Sequence, residues 1–231
     1  MDLKNAFKNL TLFEKILWFV SVIVVTGTFF LFRNTDYLNL CASLIGVTAL
    51  IFLAKGHTIG QVLIIIFAFF YGFISFRFRY YGEMITYLGM TVPMAVVALI
   101  SWIKHPFQDT SEVEVSKLTR KQISVMIFFT VAVTASFYFI LKALGNASLI
   151  ASTVSVTTSF VAAYLTALRS PYYALGYAAN DLVLVVLWII ASKHDINSVS
   201  MVICFTVFFI NDMYGFINWK KIEKRQKIEA M

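Results

Sequence analysis

Eight long apolar runs divide this chain, and they constrain its fold more than any other feature. Each run is 17 to 25 residues long, and polar, Gly or Pro residues separate one from the next. The hydrocarbon core of a bilayer is crossed by about 20 apolar residues in a helix. The sequence therefore predicts an all-α polytopic membrane protein with about eight transmembrane helices, over 13–32, 38–54, 58–78, 83–103, 120–144, 148–168, 171–192 and 197–218.

The composition excludes a soluble globule. Of the 231 residues, 60% are hydrophobic and only 13% are charged, whereas soluble domains have about 25% charged residues. The chain has too few charges to cover a water-facing surface, so we expect a lipid bilayer to surround it.

The basic residues are distributed unevenly between the two sides of the predicted bundle. With the N-terminus inside, 14 Lys and Arg fall on the inner side and 5 on the outer side. Because cytoplasmic loops of membrane proteins are enriched in Lys and Arg, this predicts that both termini are cytoplasmic. The net charge of +7 is then a topology signal, and we expect no nucleic-acid partner.

The second to fourth spans resemble the sixth to eighth. Each triplet begins with a short span rich in small and hydroxyl residues and closes on a tryptophan followed by a basic residue, at Trp102 and Trp219. Because one span lies between the triplets, the two copies are predicted to be parallel, an arrangement of transporters with a central substrate site. The predicted divisions are an extra N-terminal helix (1–36), the first triplet (38–104), a loop and linker helix (105–145), the second triplet (148–220) and a basic tail (221–231).

Two groups of side chains are predicted to lie at the membrane surfaces. Trp18, Trp102 and Trp219 fall at predicted helix ends, where an indole ring prefers the interface. Glu83 begins the fourth span close to Arg77 and Arg79, which predicts a surface ion pair.

The seventh span carries the most informative polar residues. Asp181 lies near its middle, and a charge at that depth is costly unless it has a role. At 100° per residue, the neighbouring polar and aromatic residues share one face with it: Tyr173, Tyr177, Asn180 and Trp188. This face is suited to a flat, polar solute, although bonding to a neighbouring helix is the alternative explanation.

Other spans supply further candidates. Asn211, Tyr214 and Asn218 form a stripe on the eighth span, with Asp212 beside it, and both substrate binding and helix contacts are open for them. The third span contributes Gln61 near its cytoplasmic end, and Tyr87 shares one face of the fourth span with Glu83 and Met90. Pro93 is expected to kink the fourth span.

The spans offer no candidate residues for metal binding, for a catalytic triad or for phosphate binding. The three histidines, His57, His105 and His194, all fall in loops, so we expect no metal site and no catalytic triad in the membrane. The sequence has no phosphate-binding glycine motif. We therefore expect no cofactor and no enzyme activity, and two classes stay open: a transporter, or a membrane subunit that transports nothing.

Four stretches of the chain carry a family resemblance: Phe70-Tyr71-Gly72 through Tyr80-Tyr81-Gly82-Glu83, Pro93 to Trp102 with Lys104-His105-Pro106, Arg169-Ser170-Pro171-Tyr172-Tyr173 through Asn180-Asp181-Leu182 to Trp188, and Asn211-Asp212-Met213-Tyr214 through Trp219. With these stretches the chain resembles the PnuC family of nicotinamide riboside transporters over about residues 38–221. The resemblance implies the three-plus-one-plus-three helix arrangement of SWEET transporters, preceded here by one extra helix. It further implies a homotrimer in the bacterial inner membrane.

The resemblance also implies an activity and a site. The activity is facilitated diffusion of a vitamin precursor for NAD biosynthesis, trapped by a cytoplasmic kinase. The site is expected at Tyr173, Tyr177, Asn180, Asp181, Asn211, Tyr214 and Asn218. Many members carry tryptophans before the aspartate of the seventh span, whereas this chain has Ala174 and Tyr177. Thiamine, riboflavin and deoxynucleosides are the alternative substrates, and proton coupling through Asp181 is an alternative mechanism.

Overall fold

The computed structural model describes residues 3–32, 36–77, 80–108, 110–146, 148–193 and 196–230. These residues form helices α1 to α10 and contain no β-strand. Eight segments of the described chain are long and apolar enough to cross a membrane, as predicted. A short helix, α1 (Leu3–Lys8), precedes them.

The helices follow the predicted runs within a few residues, except that the last one continues to Glu229. In chain order they are α2 (Leu12–Leu31), α3 (Tyr37–Ala54), α4 (Ile59–Arg77), α5 (Tyr81–Ile85), α6 (Val92–Lys104), α7 (Arg120–Ala143), α8 (Leu149–Ala167), α9 (Tyr173–Ser192) and α10 (Val199–Glu229). Because successive spans alternate in direction, both termini lie at one end of the bundle. We call it the terminal end and the opposite end the far end.

The fourth span is irregular. It begins as α5, widens into a π-helical turn over Thr86–Thr91, and continues as α6 with Pro93 in its first turn. Proline lacks the N–H that would bond to the preceding turn, which accounts for a break just before it. The widened turn buries Tyr87 and Met90 in the bundle, so the predicted irregularity at Pro93 shapes the interior.

The first helix of each triplet ends in the same way. After α3, Gly56 takes a positive φ of 67° and its N–H bonds to the carbonyl of Leu53. After α8, Arg169 takes a positive φ of 58° and its N–H bonds to the carbonyl of Thr166. Left-handed residues commonly close helices in this manner.

The two triplets exchange hydrogen bonds at the terminal end. Trp102, which closes the first triplet, donates its Nε1–H to the Thr166 carbonyl of the second at 2.9 Å. Trp219, which closes the second triplet, donates to the Leu53 carbonyl of the first at 2.8 Å. The two indole rings lie 5.4 Å apart, so the two triplets are in contact at both tryptophans.

The predicted interfacial role is wrong for Trp102 and Trp219. Both side chains are fully buried, and their indole N–H groups bond to carbonyls of the opposite triplet. Trp18 also has a protein partner, since its Nε1–H bonds to Thr48 Oγ1 at 3.1 Å.

Helices α2 and α7 lie outside the two triplets. Helix α2 is held by Glu14, which caps the helix start with Thr11, accepts a bond from Tyr214 at 2.9 Å and pairs with Lys55 at 3.4 Å. Helix α7 buries only Leu141 among its described residues.

The basic tail continues the last helix. No Gly or Pro interrupts the stretch after Trp219, and Glu223 bonds to Lys220 and Lys227 one turn away on either side. Gln226 is buried and bonds to the backbone of Val113 and Val115 in the loop before α7. The tail therefore ties that loop to the bundle.

Candidate functional site

A small cavity lies at the centre of the bundle, between the two triplets. All six triplet helices contribute to its wall, and α2 and α7 do not. The lining residues are Gly46, Leu50, Leu53, Ile64, Phe67, Tyr87, Thr91, Ser159, Tyr177, Asn180, Asp181, Phe205, Phe208 and Asp212. Its volume is about 50 Å³, which accommodates only a few water molecules.

Two carboxyl groups meet at this cavity. Asp181 on α9 and Asp212 on α10 are each about 5% exposed, and both side chains line the cavity. Two carboxylates buried in one small cavity repel each other, which favours one proton shared by the pair and a single negative charge. Asp181 Oδ2 has no hydrogen-bond partner within the described chain. This atom is therefore available to a ligand.

The orientation of the Asn180 amide is fixed by α8. Its Oδ1 accepts bonds from Ser155 Oγ and Thr158 Oγ1, both at 3.0 Å. The amide nitrogen donates no bond to another described residue. Asn180 thus presents a hydrogen-bond donor beside the Asp181 carboxyl.

Aromatic rings form much of the remaining wall. The Tyr87 ring lies 5.9 Å from that of Phe67, which in turn lies 5.8 Å from that of Phe208. The Phe208 ring packs against α3 at Gly46, where a Cβ atom would lie only 2.4 Å from it. Glycine at this position lets the ring lie against the backbone. The cavity therefore combines aromatic faces with a carboxyl pair and an amide.

Four of the ten predicted site residues line this cavity: Tyr87, Tyr177, Asn180 and Asp181. The structure places the other six outside its lining. These are Gln61, Tyr173, Trp188, Asn211, Tyr214 and Asn218.

Most of these six residues make contacts between helices. Asn211 donates to Ser21 Oγ on α2 at 3.0 Å, and Asn218 donates to the Ala54 carbonyl at 2.8 Å. Trp188 donates to Tyr71 Oη at 3.0 Å, and Tyr173 stacks edge-on against Trp219. Gln61 is buried, and its Nε2 has no hydrogen-bond partner in the described segments.

Sequence reasoning passed over Asp212, which it noted only as a neighbour of the Asn211 stripe. The available signal was the one used for Asp181, a carboxylate inside an apolar span. Three phenylalanines of the wall, Phe67, Phe205 and Phe208, carry no such signal because most phenylalanines in spans simply pack.

Glu83 is not at the surface, and the predicted ion pair with Arg77 is wrong. The Glu83 side chain is 2% exposed, and Arg77 lies 3.5 Å from Asp36 instead. The widened turn after α5 leaves Glu83 facing inward, whereas Arg77 ends α4 and reaches the start of α3. Arg79, the other predicted partner, lies outside the described residues.

Eight apolar helices, with two interlocked triplets around a central polar cavity, define a membrane transporter for a small solute. A family model described as nicotinamide mononucleotide transporter matches residues 36–221. The chain belongs to this transporter family.

Relatives of known function agree with the family. The chain is 29% identical over 228 residues to the nicotinamide riboside transporter PnuC of Neisseria mucosa, covering 96% of this chain and 86% of that one. It is 22% identical to the nicotinamide riboside transporter PnuC of Haemophilus influenzae, covering 91% of each chain. A crystal structure of the vitamin B3 transporter PnuC superposes with a TM-score of 0.81 at 26% identity, covering 94% of both chains. The predicted all-α membrane fold with about eight spans and the resemblance to PnuC are confirmed.

Proposed function

We propose that this protein carries nicotinamide riboside across the membrane by facilitated diffusion. The proposal is supported by its family and by the relatives that are named for this substrate. The observation that carries it is the central cavity, where the Asp181–Asp212 pair and the Asn180 amide lie among aromatic rings.

The chemistry of the cavity suits the chemistry of the substrate. Nicotinamide riboside has a pyridinium ring with one positive charge, and aromatic faces attract cations. The single negative charge of the carboxyl pair would neutralise that cation. The ribose hydroxyls and the carboxamide would bond to groups such as Asn180 and Tyr177.

A charged cavity favours some of the alternative substrates over others. Thiamine is also an aromatic cation, so the carboxyl pair suits it as well. Riboflavin and deoxynucleosides are neutral, and they would leave the negative charge of the pair without a partner.

The remaining parts of the proposal concern the cell. Both termini lie in the cytoplasm of a bacterium, and the protein spans the inner membrane. A cytoplasmic kinase traps the substrate by phosphorylation, and the protein itself catalyses no reaction. Three copies assemble into a homotrimer. The exposed apolar surface of α7 is available for contacts between the copies. Native mass spectrometry measures the copy number.

Uptake into proteoliposomes tests the function. Without any ion gradient, labelled nicotinamide riboside should enter with saturable kinetics and stop at equal concentrations inside and outside. Thiamine, riboflavin and a deoxynucleoside serve as competitors. Absence of saturable flux for all four substrates would favour a membrane subunit that transports nothing.

Proton coupling is the second candidate, and the shared proton of the Asp181–Asp212 pair favours it. In that case an imposed pH gradient alone should concentrate the substrate. The Asp181→Asn variant, which cannot exchange that proton in the same way, should then only equilibrate it. Accumulation that persists in this variant would exclude coupling through the pair.

A further inference from the structure

A second cavity lies at the far end of the bundle, close to the start of the fourth span. Its volume is about 230 Å³, so it is larger than the central cavity. It lies between the second half of α9, the start of the fourth span and the segment that joins α7 to α8. The lining residues are Tyr80, Glu83, Asn146, Ser148, Ser152, Leu187, Ile190 and Ala191.

Among the described residues that line this cavity, Glu83 is the only acidic one. Its side chain is 2% exposed, and neither carboxyl oxygen has a hydrogen-bond partner within the described residues. A carboxylate buried without a partner is costly. A cation that enters the cavity would remove this cost, which gives Glu83 the character of a binding group.

The other walls indicate which kind of cation fits. A Ca²⁺ ion takes about six to eight oxygen ligands, and the described lining of this cavity offers one carboxylate. Asn146, Ser148 and Ser152 instead provide amide and hydroxyl groups, with Asn146 Nδ2 bonded to Ser152 Oγ at 2.9 Å. The Tyr80 ring completes the wall. These groups suit a flat organic cation with polar substituents.

A column of four aromatic side chains links this cavity to the central one. The Tyr80 ring lies 5.6 Å from that of Trp188, and Trp188 Nε1 bonds to Tyr71 Oη at 3.0 Å. The Tyr71 ring lies 4.4 Å from that of Tyr87, which lines the central cavity. The aromatic column thus lies between the two cavities and separates them.

We propose that the cavity at Glu83 is a second binding site, which takes the flat organic cation before it passes the aromatic column to the central cavity. This inference rests on the proposed function for the identity of the cation. With the termini in the cytoplasm, the Glu83 site faces the outside and binds arriving substrate. The Asp181–Asp212 pair then receives the cation at the centre.

Equilibrium binding tests this proposal on the full chain in lipid nanodiscs. The probes are labelled nicotinamide riboside and 1-methylnicotinamide, a flat cation without ribose. The wild-type protein should bind two nicotinamide riboside molecules per chain. Glu83→Gln, which keeps the size of the side chain, should bind one, with the Kd of the lost site raised at least about tenfold.

Matched variants separate the two sites. Asp36→Asn removes a carboxylate from the same end of the bundle and should still bind two molecules. The double variant Asp181→Asn with Asp212→Asn should lose the central site and keep binding 1-methylnicotinamide through Glu83. Ser148→Ala should weaken binding at the outer site only, which provides a second test that does not depend on how Glu83→Gln folds.

Two results would overturn the proposal. One is a stoichiometry of one molecule per chain in the wild-type protein. The other is unchanged binding of both probes in Glu83→Gln. Failure of the proposed transport function alone would give another pattern of results. Nicotinamide riboside would then show no uptake into proteoliposomes, whereas 1-methylnicotinamide would still bind and its binding would still depend on Glu83.

Discussion

At the scale of single residues, the Asp181–Asp212 pair determines the charge of the central cavity. Asn resembles a protonated Asp in shape and can donate a hydrogen bond to a neighbouring carboxylate. A single Asp→Asn change therefore keeps one negative charge, whereas the double change removes it.

We expect either single variant, Asp181→Asn or Asp212→Asn, to bind nicotinamide riboside within a few-fold of the wild-type affinity. The double variant should lose roughly ten- to a hundredfold, because a hydrogen bond to a charged group contributes about 1.5–3 kcal/mol. Calorimetry on the purified protein measures both. A single variant as weak as the double one would mean that the two carboxyl groups do not share one charge.

The same two residues show how far the sequence predicts the site. Asp181 stood out because its span is otherwise apolar and its neighbours Tyr177 and Asn180 share its face. On α10 the sequence offered Asn211 and Asp212 side by side, about 100° apart around the helix. Periodicity relates residues on one helix, but it does not say which face meets α2 and which meets the cavity. That choice depends on helix packing, which the sequence alone does not provide.

At the scale of helices, the attachment of α2 gives a test of Tyr214. This residue was predicted to bind substrate, and the structure places its hydroxyl on Glu14 of α2. We expect Tyr214→Phe to lower the free energy of unfolding by about 1–3 kcal/mol, because Glu14 is buried and loses a donor.

Thermal unfolding in detergent and substrate affinity should be measured together on this variant. A structural role for Tyr214 predicts reduced stability with an unchanged Kd. An increase in Kd without loss of stability would instead support the role predicted from the sequence.

The π-helical turn of the fourth span permits a second test at this scale. Deleting Gly89 should restore α-helical spacing and turn Tyr87 about 100° away from the cavity. We expect the variant to insert into the membrane but to lose substrate binding. Gly89→Ala is the matched control, because a Cβ at this position makes only ordinary contact with Ile85 at 3.7 Å. Binding that survives the deletion would show that Tyr87 is dispensable.

The sequence predicts where the spans lie better than it predicts the residues at which the helices end. A bilayer leaves the backbone of a span few alternatives to a helix, so the eight runs sufficed to predict the spans. The continuation of α10 to Glu229 depends on contacts that the runs do not reveal. Gln226 binds the loop at Val113 and Val115, and these partners lie more than a hundred residues away in the chain.

At the scale of the whole molecule, Trp102 and Trp219 join the two triplets. Replacing either one by Phe removes one of the two donors to a buried carbonyl, at Thr166 or at Leu53, and leaves that carbonyl with its backbone donor alone. We expect each variant to lose about 0.5–1.5 kcal/mol of unfolding free energy for the lost hydrogen bond, by similar amounts because the two environments correspond.

The double variant should deviate from the sum of the single effects, because the two rings are in contact. A double-mutant cycle from denaturant unfolding measures the coupling. Strictly additive effects would show that the two bonds act independently and that the triplets are not joined as one unit.

The exchanged tryptophan bonds also bear on the origin of the chain. In each bond, the last helix of one triplet caps the first helix of the other, and the arrangement is reciprocal. Two identical three-helix chains related by a twofold axis would make the same bond twice, as isologous interfaces do. An ancestral homodimer could thus have been held by these contacts before gene duplication and fusion. In that history, α7 entered as the connection that brings the second copy back into the membrane with the same orientation as the first.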